Sequence, residues 1–217
     1  MQITLREPGS AITHFVAMVM AIGGSVPLLI KASEYGNLCL IAMFIFIASM
    51  ILLYGASATY HSVNVPATII KIYKKIDHAM IFVLIAGSYT PVCLLVLAPT
   101  PGYPLLIAVW SFAIVGIAVK LLWITCPKWF SSIIYIAMGW LCVFAFSPIV
   151  NSLPRAAFYW LLAGGLIYTV GGIIYALKLS IFNEKHKYFG SHEIFHLFVM
   201  AGSLCHYIFM YQYVIGI

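Results

Sequence analysis

The chain has 217 residues, of which 64% are hydrophobic and only 7% are charged. A soluble domain carries roughly a quarter charged residues, so this composition excludes a water-bathed surface and requires lipid around it. The net charge of +6 does not point to nucleic acid, because the basic residues fall between apolar runs rather than in a basic patch.

In chain order, seven runs have the roughly 20 mostly apolar residues that a spanning helix needs. They lie near Ile12–Ile30, Leu38–Tyr60, Ala79–Leu97, Leu105–Ile124, Ile133–Val150, Ala156–Leu177 and Ile194–Val214. Turn residues punctuate them at Gly36-Asn37, at Pro99-Thr100-Pro101-Gly102, at Pro127 and at Pro154. The runs are continuous and do not alternate, which predicts an all-α bundle and not a barrel. The first run is long enough to span and no small-residue cleavage site follows it, so no removable signal peptide is expected. The expectation is a single membrane domain over residues 1–217. Five cysteines (Cys39, Cys93, Cys126, Cys142 and Cys205) are scattered singly without a C-x-x-C, and read as small buried hydrophobes.

An odd number of spans puts the two termini on opposite sides. With the N-terminus inside, Arg6, Lys71, Lys74, Lys75, Lys120, Lys128, Lys178, Lys185 and Lys187 share that side. Lys31 and Arg155 alone face the other. The excess of basic residues in short loops predicts a cytoplasmic N-terminus and a multi-pass protein of the cell inner (plasma) membrane.

On that topology the polar groups meet at one depth. His14 falls at the inner end of the first span, Ser57 and His61 at the inner end of the second, Asp77 and His78 at the start of the third. His192 and His196 fall at the start of the seventh. Ionisable groups in spans are costly and face a cavity or a partner. His192 and His196 are one helical turn apart and project from one face. With His61 they make the three-ligand set of a catalytic zinc, which keeps a fourth position for water. Asp77 is the carboxylate placed to hydrogen-bond that water, with Ser57, His78 and His14 around it.

A histidine pair at a membrane interface has a second reading, as side chains that snorkel or bond backbone carbonyls. His206 lies on roughly the same helix face as His196 but about 15 Å further along, out of reach of the same ion. It is expected to line the cavity or bond a neighbouring helix. His186 is expected to be a solvated loop residue. The stretch Ser191–His196 also matches H-E-x-x-H, but no acid follows His196 to complete a protease-type site, so the third ligand must come from another helix. Glu193 is left between two roles, a general base and a side chain facing the headgroups.

SATYH (Ser57–His61), KKIDHAMIFVLIAGSYTP (Lys74–Pro91) and SHEIFHLFVMAGSLCH (Ser191–His206) resemble the three signature blocks of the hemolysin III family. That family is the bacterial branch of the progestin and adipoQ receptor group, in a superfamily that includes alkaline ceramidases. The resemblance implies seven transmembrane helices with a cytoplasmic N-terminus. It also implies zinc on His61, His192 and His196, with Asp77 and Ser57 as the family aspartate and serine. The first family block reads E-x-x-N-x-x-T/S-H. Here it is EPGSAITH, which keeps Glu7, Thr13 and His14 but has Ser10 for the asparagine.

The function expected from these residues is zinc-dependent hydrolysis of a lipid amide or ester that enters from the bilayer. Ceramide-like amides are what the superfamily resemblance implies. Two other classes stay open. One is a cytolytic pore, for which the outer halves of the spans supply little polar lining. The other is a receptor-like sensor of membrane state in which zinc is structural and Asp77 closes the site as a direct ligand. The sequence sets no oligomeric state.

Overall fold

In lipid every backbone N–H and C=O must be satisfied within the protein, and continuous apolar runs do this as helices. The computed structural model describes residues 5–177 and 189–217, and among them there are helices and no strands. Seven helices are long and apolar enough to cross a membrane. They are α1 (Pro8–Ser33), α2 (Asn37–Ser62), α3 (Ala67–Val96), α4 (Pro99–Leu122), α5 (Lys128–Ser152), α6 (Arg155–Leu177) and α7 (Ser191–Val214). Lys178, Lys185, His186 and Lys187 lie outside the described residues.

The helices pack in chain order as a ring, with α7 returning against α1 and with α3 also touching α5. Large apolar side chains such as Ile12, Val19, Ile107, Leu122 and Phe144 are exposed around the outside, as a lipid-facing mantle requires. The centre is filled by Phe46 and Tyr54 of α2, Phe82 of α3 and Phe209 of α7. Close approach depends on missing side chains at two places. A side chain on Gly87 would collide with Ser49 Oγ across the α2–α3 contact, and one on Gly116 with the Phe82 ring across α3–α4.

The helices are longer than the apolar runs that announce them. α3 starts at Ala67, well ahead of Ala79, and carries Lys71, Lys74 and Lys75 on its first turns. Hydropathy marks the stretch apolar enough for lipid, whereas the helical hydrogen bonding of α3 starts before it, across Lys71, Lys74 and Lys75.

Three of the described helices are irregular, one of them α7, which ends in a π-helical turn over Met210–Val214. Pro91 lacks an N–H, and the end of α3 widens into a π-helical turn over Val92–Val96. α5 tightens to a 3-10 stretch at Trp140–Ala145. Tyr89 of α3 repairs that break: its hydroxyl donates to the Gly139 carbonyl at 2.5 Å and accepts the Cys142 N–H at 2.9 Å. A neighbouring helix thus satisfies backbone groups that an irregular span leaves over.

Candidate metal centre

The chain before α1 folds back onto the end of α2. The Glu7 N–H donates to the His61 carbonyl at 3.0 Å, and Arg6 N–H to Ser62 at 3.4 Å. Pro8 then opens α1, where its missing N–H costs nothing. This tuck brings the Glu7 carboxylate onto Nδ1 of the buried His61. An ionised carboxylate only accepts, so Nδ1 carries a proton, and in the neutral imidazole Nε2 then keeps its lone pair. The hydrogen bond from His61 holds the Glu7 carboxyl below its ordinary range, against the opposing effect of partial burial, and the Arg6 charge adds to the pull. Arg6 lies with Nε 3.4 Å from Glu7 and its guanidinium 4.2 Å over the Tyr60 ring.

α7 delivers the other two imidazoles from its first turns. The Thr13 hydroxyl of α1 donates to the Gly9 and Ser10 carbonyls at 3.0 Å, so its oxygen accepts from His196 Nδ1 at 3.1 Å. That also leaves His196 with Nε2 unprotonated. His192 Nε2 sits 3.4 Å from His61 Nε2, and His192 Nδ1 is buried without a hydrogen-bond partner. One ligand nitrogen from each of His61, His192 and His196 lies within 4.8 Å of the other two, so these three side chains could hold a metal ion. His14 of α1 backs them, with its ring stacked on His196 at 3.6 Å and edge-on to Tyr54 at 5.1 Å.

Both Glu193 oxygens are taken up by hydrogen bonds, and Glu193 is not in the three-histidine group. One of its oxygens accepts the Ser10 hydroxyl at 2.5 Å, and the other accepts the Gly190 N–H at 2.8 Å. A carboxylate in the first turn suits the positive end of the α7 dipole and caps a free backbone donor. Its work is to lock the start of α7 against α1.

Asp77 is buried on α3 and is not one of the three grouped ligands. Its Oδ2 lies 3.3 Å from His78 Nδ1, which also donates to the Lys74 carbonyl at 2.9 Å. With Nδ1 protonated, His78 Nε2 accepts from the Tyr175 hydroxyl at 3.4 Å. Tyr135 donates to the His78 carbonyl at 3.2 Å. Ser57 is buried one turn before His61, and its hydroxyl has no hydrogen-bond partner.

Asp77, Ser57, His14, His192 and His196 together line the polar end of a cavity of about 220 Å³. The cavity runs on between α3, α5, α6 and α7, past Ile85, Val92, Ile149 and Phe158. His206 lines its wall, edge-on to Tyr168 at 5.3 Å, and is not in the three-histidine group.

Sequence reasoning left Tyr135 and Tyr175 without a role, and it gave Glu7, Ser10 and Thr13 none beyond a family block. A signal was present at the head of α1. Glu7, Ser10 and His14 fall at helical spacing on one face, and Thr13 flanks it.

Residues 2–207 match the family model described as haemolysin-III related. The chain is 40% identical over 199 residues to the hemolysin-3 homolog of Bacillus subtilis (strain 168), covering 91% of this chain and 89% of the relative. It is 36% identical over 203 residues to hemolysin-3 of Bacillus cereus, covering 93% and 89%. A more distant similarity, 23% over 237 residues, links 93% of this chain to 49% of the adiponectin receptor protein of Drosophila melanogaster.

Proposed function

The chain belongs to the hemolysin III family, and from that premise we propose that it is a membrane hydrolase. Its His61, His192 and His196 would hold zinc beside an apolar, lipid-sized cavity. The observation that carries this reading is the junction of two features. Three imidazole nitrogens lie within 4.8 Å of one another, and two of the rings, His192 and His196, also line a cavity whose wall is mainly apolar.

The donor set fits the ion. Zinc takes neutral imidazoles, and catalytic sites use three protein ligands. Glu7 and Thr13 fix the tautomers of His61 and His196 so that Nε2 faces inward as a lone pair, and the unpartnered Nδ1 leaves His192 free to turn its other nitrogen to a metal. Zinc bound there would bring the pKa of a water toward about 7 and polarise a carbonyl.

The chain's own groups supply the rest. Asp77 accepts a proton from the attacking water and returns it to the leaving amine or alcohol. His78 holds that carboxylate in place through Nδ1, and Tyr175 holds His78 through Nε2. The Ser57 hydroxyl, like that of Ser132, is an unpartnered donor in the wall, and being one turn from His61 it is placed to bond a substrate oxygen. Leu84, Val92 and Phe158 take up an apolar chain and keep bulk water from the reacting bond. The substrate class is a long-chain amide or ester. An apolar lining supports a hydrocarbon occupant over an ion path.

The basic ends, with Lys71, Lys74 and Lys75, face the cytoplasm in this reading, in the plasma membrane of a bacterial cell. Reporter fusions after Thr100 and Asn151 should read outside, and fusions within Lys71–Lys75 inside. The decisive experiment for the activity pairs metal analysis of purified protein with mass spectrometry of lipids incubated with it. About one zinc per chain and the release of a fatty acid are expected. Metal-loaded protein that leaves every amide and ester lipid intact would refute the hydrolase.

A further inference from the structure

A second cluster of reactive side chains lies away from the histidines. Lys120, in the last turn of α4, is 3% exposed. Its Nζ donates to Cys126 Sγ at 3.1 Å and also to Ser131 Oγ. Cys126 Sγ and Ser131 Oγ are 3.2 Å apart, so amine, thiol and hydroxyl form a closed triangle. Cys126 sits in the connection between α4 and α5 and is 8% exposed. The Tyr135 ring lies 5.9 Å from Lys120 Nζ. Among the described residues no carboxylate pairs with Lys120. Burying an ammonium is costly, and chemistry that removes its charge relieves that cost.

We propose that Lys120 and Cys126 form a peroxide-sensitive modification site, in which oxidation joins Nζ to Sγ as a sulfenamide. A sulfenic acid condenses with a neighbouring nitrogen in this way, and the reaction is reversible. Hydrogen peroxide oxidises the Cys126 thiol by two electrons to the sulfenic acid and is reduced to one water. The Lys120 ammonium gives up a proton to water, and the freed Nζ lone pair attacks Sγ. The S–N bond forms, the S–O bond breaks, and the departing hydroxide takes a proton from Nζ as a second water. Thiol, ammonium and peroxide thus give one sulfenamide, two waters and one released proton. The short Nζ–Sγ distance lets the bond form without moving either helix far. The product is neutral and ties the end of α4 to the start of α5. From there Tyr135 reaches the His78 carbonyl at 3.2 Å, so the link stiffens a wall of the cavity.

The test treats the full-length protein in detergent with hydrogen peroxide and maps its peptides by mass spectrometry. The expected product is a cross-link between Lys120 and Cys126, lighter than the unmodified peptides by two hydrogens and reopened by a dithiol reductant. A disulfide would join two cysteines and leave Lys120 free. Lys120→Arg should abolish the link and let dimedone trap Cys126 as the sulfenic acid. The proposal is overturned if wild-type Cys126 stays a thiol. It is equally overturned if Cys126 forms a disulfide, accumulates as sulfinic or sulfonic acid with Lys120 free, or gives a linked product that retains oxygen. The wild-type peptide map decides the matter without any variant.

Discussion

The two walls of the cavity's polar end are built differently. On the α1–α2–α7 side, His61 is fixed by the Glu7 carboxylate, His196 by Thr13 at 3.1 Å, and the helix that carries His192 and His196 by the 2.5 Å Ser10–Glu193 bond. On the α3–α6 side the contacts of Asp77 and His78 with other side chains are longer, although His78 Nδ1 also reaches the Lys74 carbonyl at 2.9 Å. Asp77 reaches His78 at 3.3 Å and His78 reaches Tyr175 at 3.4 Å. A set of metal ligands gains from rigidity, because each tautomer and ring angle must be right before the ion arrives. A carboxylate that takes up and releases a proton gains from room to shift. The difference teaches that, in the proposed reaction, holding and reacting would be assigned to different helices.

The largest expected effect comes from breaking the rigid wall at its centre. His61→Ala, His192→Ala and His196→Ala should each cut metal affinity by more than the roughly 10–100-fold typical of losing an outer partner. They should also lower the melting temperature of the metal-loaded protein, since an ion bound only to the folded chain stabilises it. Metal content after dialysis and a thermal melt check both. His206→Ala should leave the metal in place, and loss of metal from that variant would mean the third ligand is misassigned.

Next in size is the looser wall. Asp77→Asn keeps the shape of the side chain and removes the base. Hydrolysis should fall about 10²–10⁴-fold while metal content changes little. If metal and stability vanish together instead, Asp77 is a ligand, and the division between holding and reacting walls disappears. Measuring metal and product release on the same preparation separates the two outcomes.

The position of these walls was partly legible from sequence. His192 and His196 announce themselves because a one-turn spacing puts both on one face, and His61 and Asp77 because they mark span ends on the same side. α3 was read too short, since Lys71, Lys74 and Lys75 interrupt the hydropathy without interrupting the helix. The partners that orient the imidazoles were not legible. Thr13 and His196 are 183 positions apart, and nothing local to either predicts that they touch. Tyr89 likewise reads as one more apolar position on α3, and only packing against the broken α5 shows what its hydroxyl does.

A smaller effect sharpens the comparison. Glu7→Gln keeps an acceptor for His61 Nδ1–H but loses its charge. Metal affinity should fall roughly 10–100-fold, with little change in the melt of the metal-free protein. Isothermal titration of the stripped protein with zinc measures this. An unchanged affinity would mean that Glu7 positions the chain ahead of α1 and does nothing for the ligand.

The smallest effect concerns Ser10, which stands where the hemolysin III pattern carries asparagine. Its hydroxyl donates to Glu193 Oε1 at 2.5 Å, and Glu193 keeps its second bond to the Gly190 N–H at 2.8 Å. Ser10→Ala therefore loses one hydrogen bond to a half-buried carboxylate that still has a partner. A loss of about 1 kcal/mol is the expected size, or about 2–4 °C in the melting temperature of a chain this long. Metal content should not change, because Glu193 is not in the three-histidine group. Ser10→Asn restores an N–H donor at the same helical position, and its melt should lie closer to wild type than that of Ser10→Ala. If Ser10→Ala strips the metal, the start of α7 is held less firmly than its contacts with α1 imply, and the rigid wall depends on this single hydroxyl.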